Sequence, residues 1–346
     1  MSSVISKFAA VLGASVLLGG CMLQEEVTYP ALSVFDVEAV SVSGISSGGY
    51  MASQLHFAYP EIYTGVAIFA AGPYGCAAQG GVSQALTQCM QVRDGAPKVE
   101  TLVQQVRTWA EAEVIGDPEL MRTQAHKVWI YRAGQDGVLD ERVTQTTTDL
   151  YRHWVADQHL KVVTLPEAAH ALPTADYGAA CDVQAPPYIN QCDYDGVGAA
   201  LKHLYPDLKE PLDAPGMLMT FDQRPFFKAQ GAKIKGLLDY GYLFVPKTCE
   251  EGAPCKLHVA LHGCEQSAQV LDETFVRHSG YLQWAAANRM LVLFPQAKKN
   301  LANPMGCWDW WGYESTNFYS RQGSQVAAIT RMVQHISGQI PPIRPE

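Results

Sequence analysis

Residues 37–50 read VEAVSVSGISSGGY, and this stretch decides the architecture. VEAVSVSG (37–44) is apolar and β-branched enough to be a strand buried on both faces. The residues from Ser46 onward open a helix that runs toward Pro60, where the helix has to stop. Between strand and helix sits Gly44-Ile45-Ser46-Ser47-Gly48, which fits G-x-S-x-G. A sharp strand-to-helix turn needs small neighbours, so that one serine side chain stands clear above the sheet edge. The first turn of the helix then directs backbone N–H groups at developing negative charge. A Gly/Ser-rich turn without chemistry would have the same composition. The strand before it and the helix after it favour a nucleophile at Ser46, with Ser47 one place off the pattern.

Working outward, the same idiom recurs. GVAIFAAG (65–72), KVWIYRAG (127–134), KVVTLP (161–166), YGYLFVP (240–246), KLHVALHG (256–263) and MLVLFPQ (290–296) read as strands. VETLVQQVRTWAEA (99–112), the polar stretch 140–157, VGAALKHLY (197–205), YLQWAAANR (281–289) and SQVAAITRMVQHISG (324–338) read as helices. Apolar strands alternating with helices indicate an α/β domain with a mainly parallel sheet. No repeat, low-complexity linker or change of composition divides residues 37–346, which are taken as one catalytic domain. Residues 21–36 show no periodicity and read as a tether.

The chain has 346 residues, 48% of them hydrophobic and 17% charged, enough to bury a full-sized core. Formal net charge is −9, with no run of basic residues. A polyanion binder needs a Lys/Arg stripe, so nucleic acid is not an expected partner. Residues 1–20 have one positive charge at Lys7, an apolar stretch and small residues before Cys21, the shape of a secretory signal peptide. Leu18-Gly19-Gly20-Cys21 resembles the bacterial lipobox, which implies lipidation of Cys21 and a lipid anchor in a membrane of the cell envelope. Met22 in place of an acidic residue implies outer-membrane or surface delivery by the same resemblance. An ordinary signal peptide, with secretion of the chain, is the alternative.

Eight further cysteines follow: Cys76, Cys89, Cys181, Cys192, Cys249, Cys255, Cys264 and Cys307. An even number in an exported chain points to disulfides. Spacing suggests the local pairs Cys76–Cys89, Cys181–Cys192 and Cys249–Cys255, leaving Cys264 to meet Cys307. Zinc is the rival, but the chain contains no CxxC or HExxH spacing, and no metal is expected.

A serine hydroxyl needs a base, and the base needs an orienting carboxylate. In α/β-hydrolases the chain order is Ser, acid, His, with the last two on loops after later strands. Asp136 directly follows strand 127–134, and His170 follows strand 161–166 in PEAAHALP. His126, His153, His159, His203 and His335 lie on helices or before strands and read as packing or surface residues. Asp140 is the rival acid, but it looks like the N-cap of the next helix. Glu167 is too close to His170 in sequence for an unstrained pair. Gly196-Val197-Gly198 lacks the third glycine of a nucleotide loop and reads as a helix start.

An oxyanion hole needs two N–H donors. Ser47 supplies one, and Cys264, in Leu261-His262-Gly263-Cys264 after strand 256–261, supplies the other. That strand ordinarily precedes the elbow in sequence, yet here it comes more than 200 residues later. Joining the end of the chain to its start restores the ordinary order, so the expectation is a circularly permuted α/β-hydrolase.

GISSGGYMA (44–52), AAHALPT (168–174), PYINQCDYDGVGAALKHLY (187–205), LHGCEQ (261–266) and MGCWDWW (305–311), in this order, resemble the poly(3-hydroxybutyrate) depolymerase family in its circularly permuted single-domain branch. The resemblance implies serine-dependent hydrolysis of short-chain hydroxyalkanoate polyesters, with Ser46 as nucleophile, Asp136 as acid and His170 as base. The oxyanion donors fall on Ser47 and Cys264, and no cofactor is implied. In Cys307-Trp308-Asp309-Trp310-Trp311, pairing of Cys307 with Cys264 would hold Trp308 near the oxyanion hole as a substrate-binding wall. An esterase for feruloyl or acetyl groups on polysaccharide is the nearest rival, and a non-catalytic binding lipoprotein the rival of another class. Absence of a linker and a polymer-binding module suits oligomers or loose amorphous polymer.

Overall fold

The computed structural model describes residues 27–211, 216–228 and 235–340. The signal segment 1–20 and Cys21 therefore lie outside the described residues. The apolar run before the elbow forms β1 (Val37–Ile45), buried without interruption from Val40 to Ile45. Burial on both faces follows from its neighbours. It pairs in parallel with β2 (Gly65–Phe69) on one side and, more than 200 residues on, with β10 (Cys255–Leu261) on the other.

Outward from β2 come β3 (Lys127–Ala133) and β4 (Leu160–Leu165), both parallel. Outward from β10 comes β11 (Met290–Phe294), also parallel. Beyond it β9 (Tyr240–Pro246) and β8 (Gly216–Asp222) close that edge with antiparallel pairings. The order across the sheet is β4-β3-β2-β1-β10-β11-β9-β8. Parallel neighbours require crossover connections, and helices supply them. After β1 comes α1 (Ser47–Ala58), and α2 (Gly81–Thr87) and α3 (Val99–Glu111) lie between β2 and β3.

Side chains alternate across the sheet and divide the core in two. On β3, Val128 and Ile130 face the cluster built with α1, α3 and helix Ser324–Ile336, while Trp129 and Tyr131 face helices Gly196–Leu204 and Tyr281–Ala287. With helices on both faces, apolar strands without a polar side are what the fold needs.

Three features depart from the reading of the sequence. The antiparallel edge strand β8 was not anticipated, nor was a small parallel sheet of β5 (Leu172–Thr174), β6 (Ala179–Ala180) and β7 (Ile189–Gln191), ordered β5-β7-β6. Strands this short leave too few residues to display a period. The segment 21–36 is also less of a tether than expected, in the part that is described. Leu32 is buried and its carbonyl accepts from His335 Nε2 at 2.8 Å. Pro30 O accepts from Asp222 N, and Phe35 N donates to Ile336 O, so the backbone from Pro30 to Phe35 is docked on the body.

The four disulfides are Cys76–Cys89, Cys181–Cys192, Cys249–Cys255 and Cys264–Cys307, the pairs that spacing suggested. No cysteine of these eight is left for zinc.

Candidate active site

Ser46 sits between β1 and α1 with φ 55°, left-handed backbone that a residue with a Cβ adopts only under constraint. The constraint comes from both sides. A Cβ at Gly44 would lie 2.2 Å from Gly48 O, and one at Gly48 would lie 2.4 Å from His262 O. Only glycine lets the chain fold back this closely. Ser46 N donates to Phe69 O at 2.9 Å, which ties the elbow to the end of β2. Ile45 and Ser47 are buried, while Ser46 is half-buried and reaches a cavity.

Asp136 and His170 stand on the loops after β3 and β4. Asp136 Oδ2 lies 2.8 Å from His170 Nδ1, and its Oδ1 accepts from the N–H groups of Val138 and Leu139, each at 2.8 Å. A carboxylate can only accept, so Nδ1 carries the proton and Nε2 is left as the acceptor. The two loops are bound to each other. Gly134 N donates to Leu165 O and Gln135 N to Ala168 O, both at 2.8 Å. Gly134 is required there, because a Cβ would come 2.3 Å from Pro166 O. Ala169 N donates to Cys181 O, fastening the His170 loop beside the Cys181–Cys192 bridge.

The rival candidates stand elsewhere. Asp140 caps helix Glu141–Tyr151 and is held below its ordinary pKa, chiefly by the Arg142 side chain. Glu167 accepts from Gln135 Nε2. His126 is buried against His56 at 3.0 Å, and His203 Nε2 bonds His159 O. Gly196 does open a helix, capped by Asp195.

Across the cavity lies the loop after β10. Ser47 is the first residue of α1, so its N–H has no intrahelical partner. The amide of Cys264 has no partner among the described residues, whereas both its neighbours are engaged. Gly263 N donates to Gln266 Oε1 at 2.7 Å and Glu265 N to Met305 O at 2.7 Å. Gln266 Nε2 reaches Pro187 O and Tyr188 O, so one side chain sets the loop against a second segment. Beneath, His262 Nε2 accepts from Ala297 N, which leaves Nδ1–H to donate to Gly263 O. Burial pushes its pKa down to about 4, so it is a neutral strut.

Ser46, Ser47, His170 and Cys264 line one cavity of about 330 Å³. Its other walls are mainly apolar, with Leu86, Met90, Leu139 and Met305 among them. Trp308 is not one of the lining residues. It is fully buried, its indole N–H donating to His262 O at 2.9 Å and its backbone N–H reaching Ser47 Oγ at 3.3 Å. Trp308, expected as a substrate-binding wall, is packed beneath the loop with its indole N–H engaged. Trp310 and Trp311 line the cavity instead. Trp310 stacks on Tyr50 with centroids 4.0 Å apart. Asp309 organises this turn by accepting from the N–H groups of Gly312, Tyr313, Glu314 and Ser315. Burial raises its carboxyl to about 6 against the pull of those four donors.

Sequence reasoning missed Gln266, Asp309 and the Tyr50–Trp310 wall. Gln266 had a local signal, two places after Cys264, but its partners at 187 and 188 are distant in the chain.

No protein-family model matches the chain. It is 37% identical over 345 residues to a poly(3-hydroxybutyrate) depolymerase of Delftia acidovorans, covering 96% of this chain and 67% of that one. It is 35% identical over 331 residues to a polyhydroxybutyrate depolymerase of Talaromyces funiculosus, covering 90% and 94%. Among solved structures it resembles a serine-to-alanine variant of PHB depolymerase complexed with an (R)-3-hydroxybutyrate trimer, with TM-score 0.82 and 34% identity over 90% of this chain and 100% of that one. The PHB depolymerase of Penicillium funiculosum is similar at TM-score 0.81 and 34% identity, with the same coverage.

Proposed function

Because the chain belongs to the poly(3-hydroxybutyrate) depolymerase family, we propose that it is a serine esterase that hydrolyses short-chain poly(3-hydroxyalkanoate) and its oligomers at Ser46. The observation that carries this reading is the His170–Asp136 pair at 2.8 Å, with His170 and Ser46 lining the same cavity. His170 Nε2 takes the proton from Ser46 Oγ as the oxygen attacks the ester carbonyl. Asp136 holds Nδ1–H and stabilises the imidazolium that forms. The tetrahedral oxyanion rests on the N–H groups of Ser47 and Cys264. Its collapse expels the alcohol, which receives the proton from His170, and leaves an acyl group on Ser46. Water, deprotonated by His170, then releases the hydroxyacid and restores the serine.

Apolar walls suit a methyl-bearing aliphatic chain, whose contacts are dispersion and burial rather than hydrogen bonds. Hydrolysis of amorphous poly(3-hydroxybutyrate), feruloylated polysaccharide and acetylated polysaccharide by the full chain separates the ester classes. Release of hydroxybutyrate from the first alone is expected. Turnover confined to either polysaccharide would discard the polyester reading.

Two features belong to the same proposal. The fold is read as a circularly permuted α/β-hydrolase, since β10, carrying the oxyanion loop, lies beside the elbow strand but late in the chain. The chain is read as exported and lipid-anchored through Cys21. Export is supported by four disulfides, which persist in oxidising compartments. Metabolic labelling with a fatty acid should mark the wild type and not Cys21→Ser; equal labelling of both would remove the anchor.

A further inference from the structure

The cavity has an unexplained charge. Apart from His170, one ionisable carboxylic acid lines it, Glu265, and no lysine or arginine does so among the described residues. Glu265 directly follows Cys264, whose amide is the proposed oxyanion donor. A carboxylate in that place opposes the growth of negative charge on the substrate, so its presence calls for a different benefit. Its position is fixed on purpose-built backbone. Tyr188 O–H donates to Glu265 Oε2 at 3.2 Å, and Glu265 and Tyr188 have φ 61° and 54°, conformations that bulky residues hold only where the surroundings impose them. The Gln266 side chain binds the Tyr188 carbonyl and the Gly263 amide, coupling the two strained positions.

A hydroxyalkanoate chain is neutral along its length and has one hydroxyl end and one carboxylate end. The only charge in the substrate is therefore an anion, and the cavity offers it repulsion and no cationic partner. Resting on the polyester reading, we propose that Glu265 is a specificity-determining residue that excludes the anionic chain end from the cavity. Interior esters and the hydroxyl-terminal part of the chain are taken, and esters next to a free carboxylate are refused. The same repulsion hastens departure of the acid product, which is born as an anion beside Ser46.

The test compares the (R)-3-hydroxybutyrate trimer as free acid and as methyl ester, at pH 8 and low salt, with full-length wild type and Glu265→Gln. Wild type should favour the methyl ester in kcat/KM by about tenfold, the scale of one charge pair at cavity distances. In Glu265→Gln the ratio should shrink severalfold through a lower KM for the acid, and 3-hydroxybutyrate should inhibit more strongly. Tyr188→Phe keeps the charge and should keep most of the discrimination. Should Glu265→Gln fold poorly, salt is the second readout, because screening should shrink the wild-type ratio without any substitution. Equal kcat/KM on both trimers, or a ratio indifferent to salt and to Glu265→Gln, would overturn the proposal. Cleavage of neither trimer would instead overturn the polyester reading beneath it.

Discussion

The two walls of the cavity are built on different principles. On the side of β1 to β4, Ser46, Asp136 and His170 each stand at the end of a parallel strand, and backbone bonds between loops fix them. On the side of β10, the loop 262–266 and the turn 305–313 are held by side chains reaching backbone: Gln266, Asp309, His262 and Trp308. The Cys264–Cys307 bridge then joins loop to turn. In the proposed mechanism the first wall delivers three side chains and the Ser47 N–H, and the second delivers the Cys264 N–H and a surface. This difference also separates two histidines. His170, a lining residue of the cavity, has Nδ1 bonded to Asp136, whereas both nitrogens of His262 are consumed by backbone. A histidine's role follows from which nitrogen the fold leaves unused.

Substitutions on the first wall should act on chemistry. Asp136→Asn removes the acceptor that fixes the His170 tautomer, and kcat should fall by about 10⁴-fold with little change in KM or thermal stability. A loss shared equally with KM would mean that Asp136 orders the cavity instead. On the second wall, the Cys264→Ser, Cys307→Ser double variant frees the donor loop from the turn. It should lose about 10²-fold in kcat, the usual cost of one oxyanion donor, together with thermal stability. Undiminished kcat would show that Gln266 alone positions Cys264.

The smallest effect concerns the buried histidines that serve as struts. Burial lowers His258 to about 3 and His262 and His126 to about 4. An unfolded histidine titrates near 6.5, so between that value and about 4 the unfolded chain binds more protons and stability falls with falling pH. Asp309, raised to about 6, and Glu314, also raised by burial, work in the opposite direction over part of this window, but the lowered histidines, His56 and His203 among them, outnumber these two carboxyls. The thermal midpoint should therefore be several degrees lower at pH 4.5 than at pH 6.5. A midpoint that holds or rises would contradict neutral burial of these rings.

Legibility in the sequence follows the same division. The first wall could be read because Ser46, Asp136 and His170 each follow an apolar strand within a few residues, so period and motif locate them. Burial on both faces made β1, β2, β3, β10 and β11 plain. The second wall is half-legible: LHGC marks the loop, but closeness to Cys307 points to Trp308 as the cavity wall. Its indole N–H instead bonds His262 O, a contact 46 residues away that no local pattern announces. Trp310 faces the cavity because Tyr50, on α1, stacks against it. Edge strand β8 pairs only on one side, with β9, and lacks the doubly buried signature that betrays its neighbours. Its first residues are exposed or half-buried.

The proposed chemistry rests on Ser46 attacking a polyester carbonyl. The direct measurement is release of hydroxyacids from amorphous poly(3-hydroxybutyrate) by wild type and Ser46→Ala, identified by mass, with unfolding curves recorded for both. Wild type should release hydroxybutyrate monomer or dimer, and a fully folded Ser46→Ala should be slower by about 10⁵-fold or more. Undiminished release by that variant would contradict the proposed chemistry.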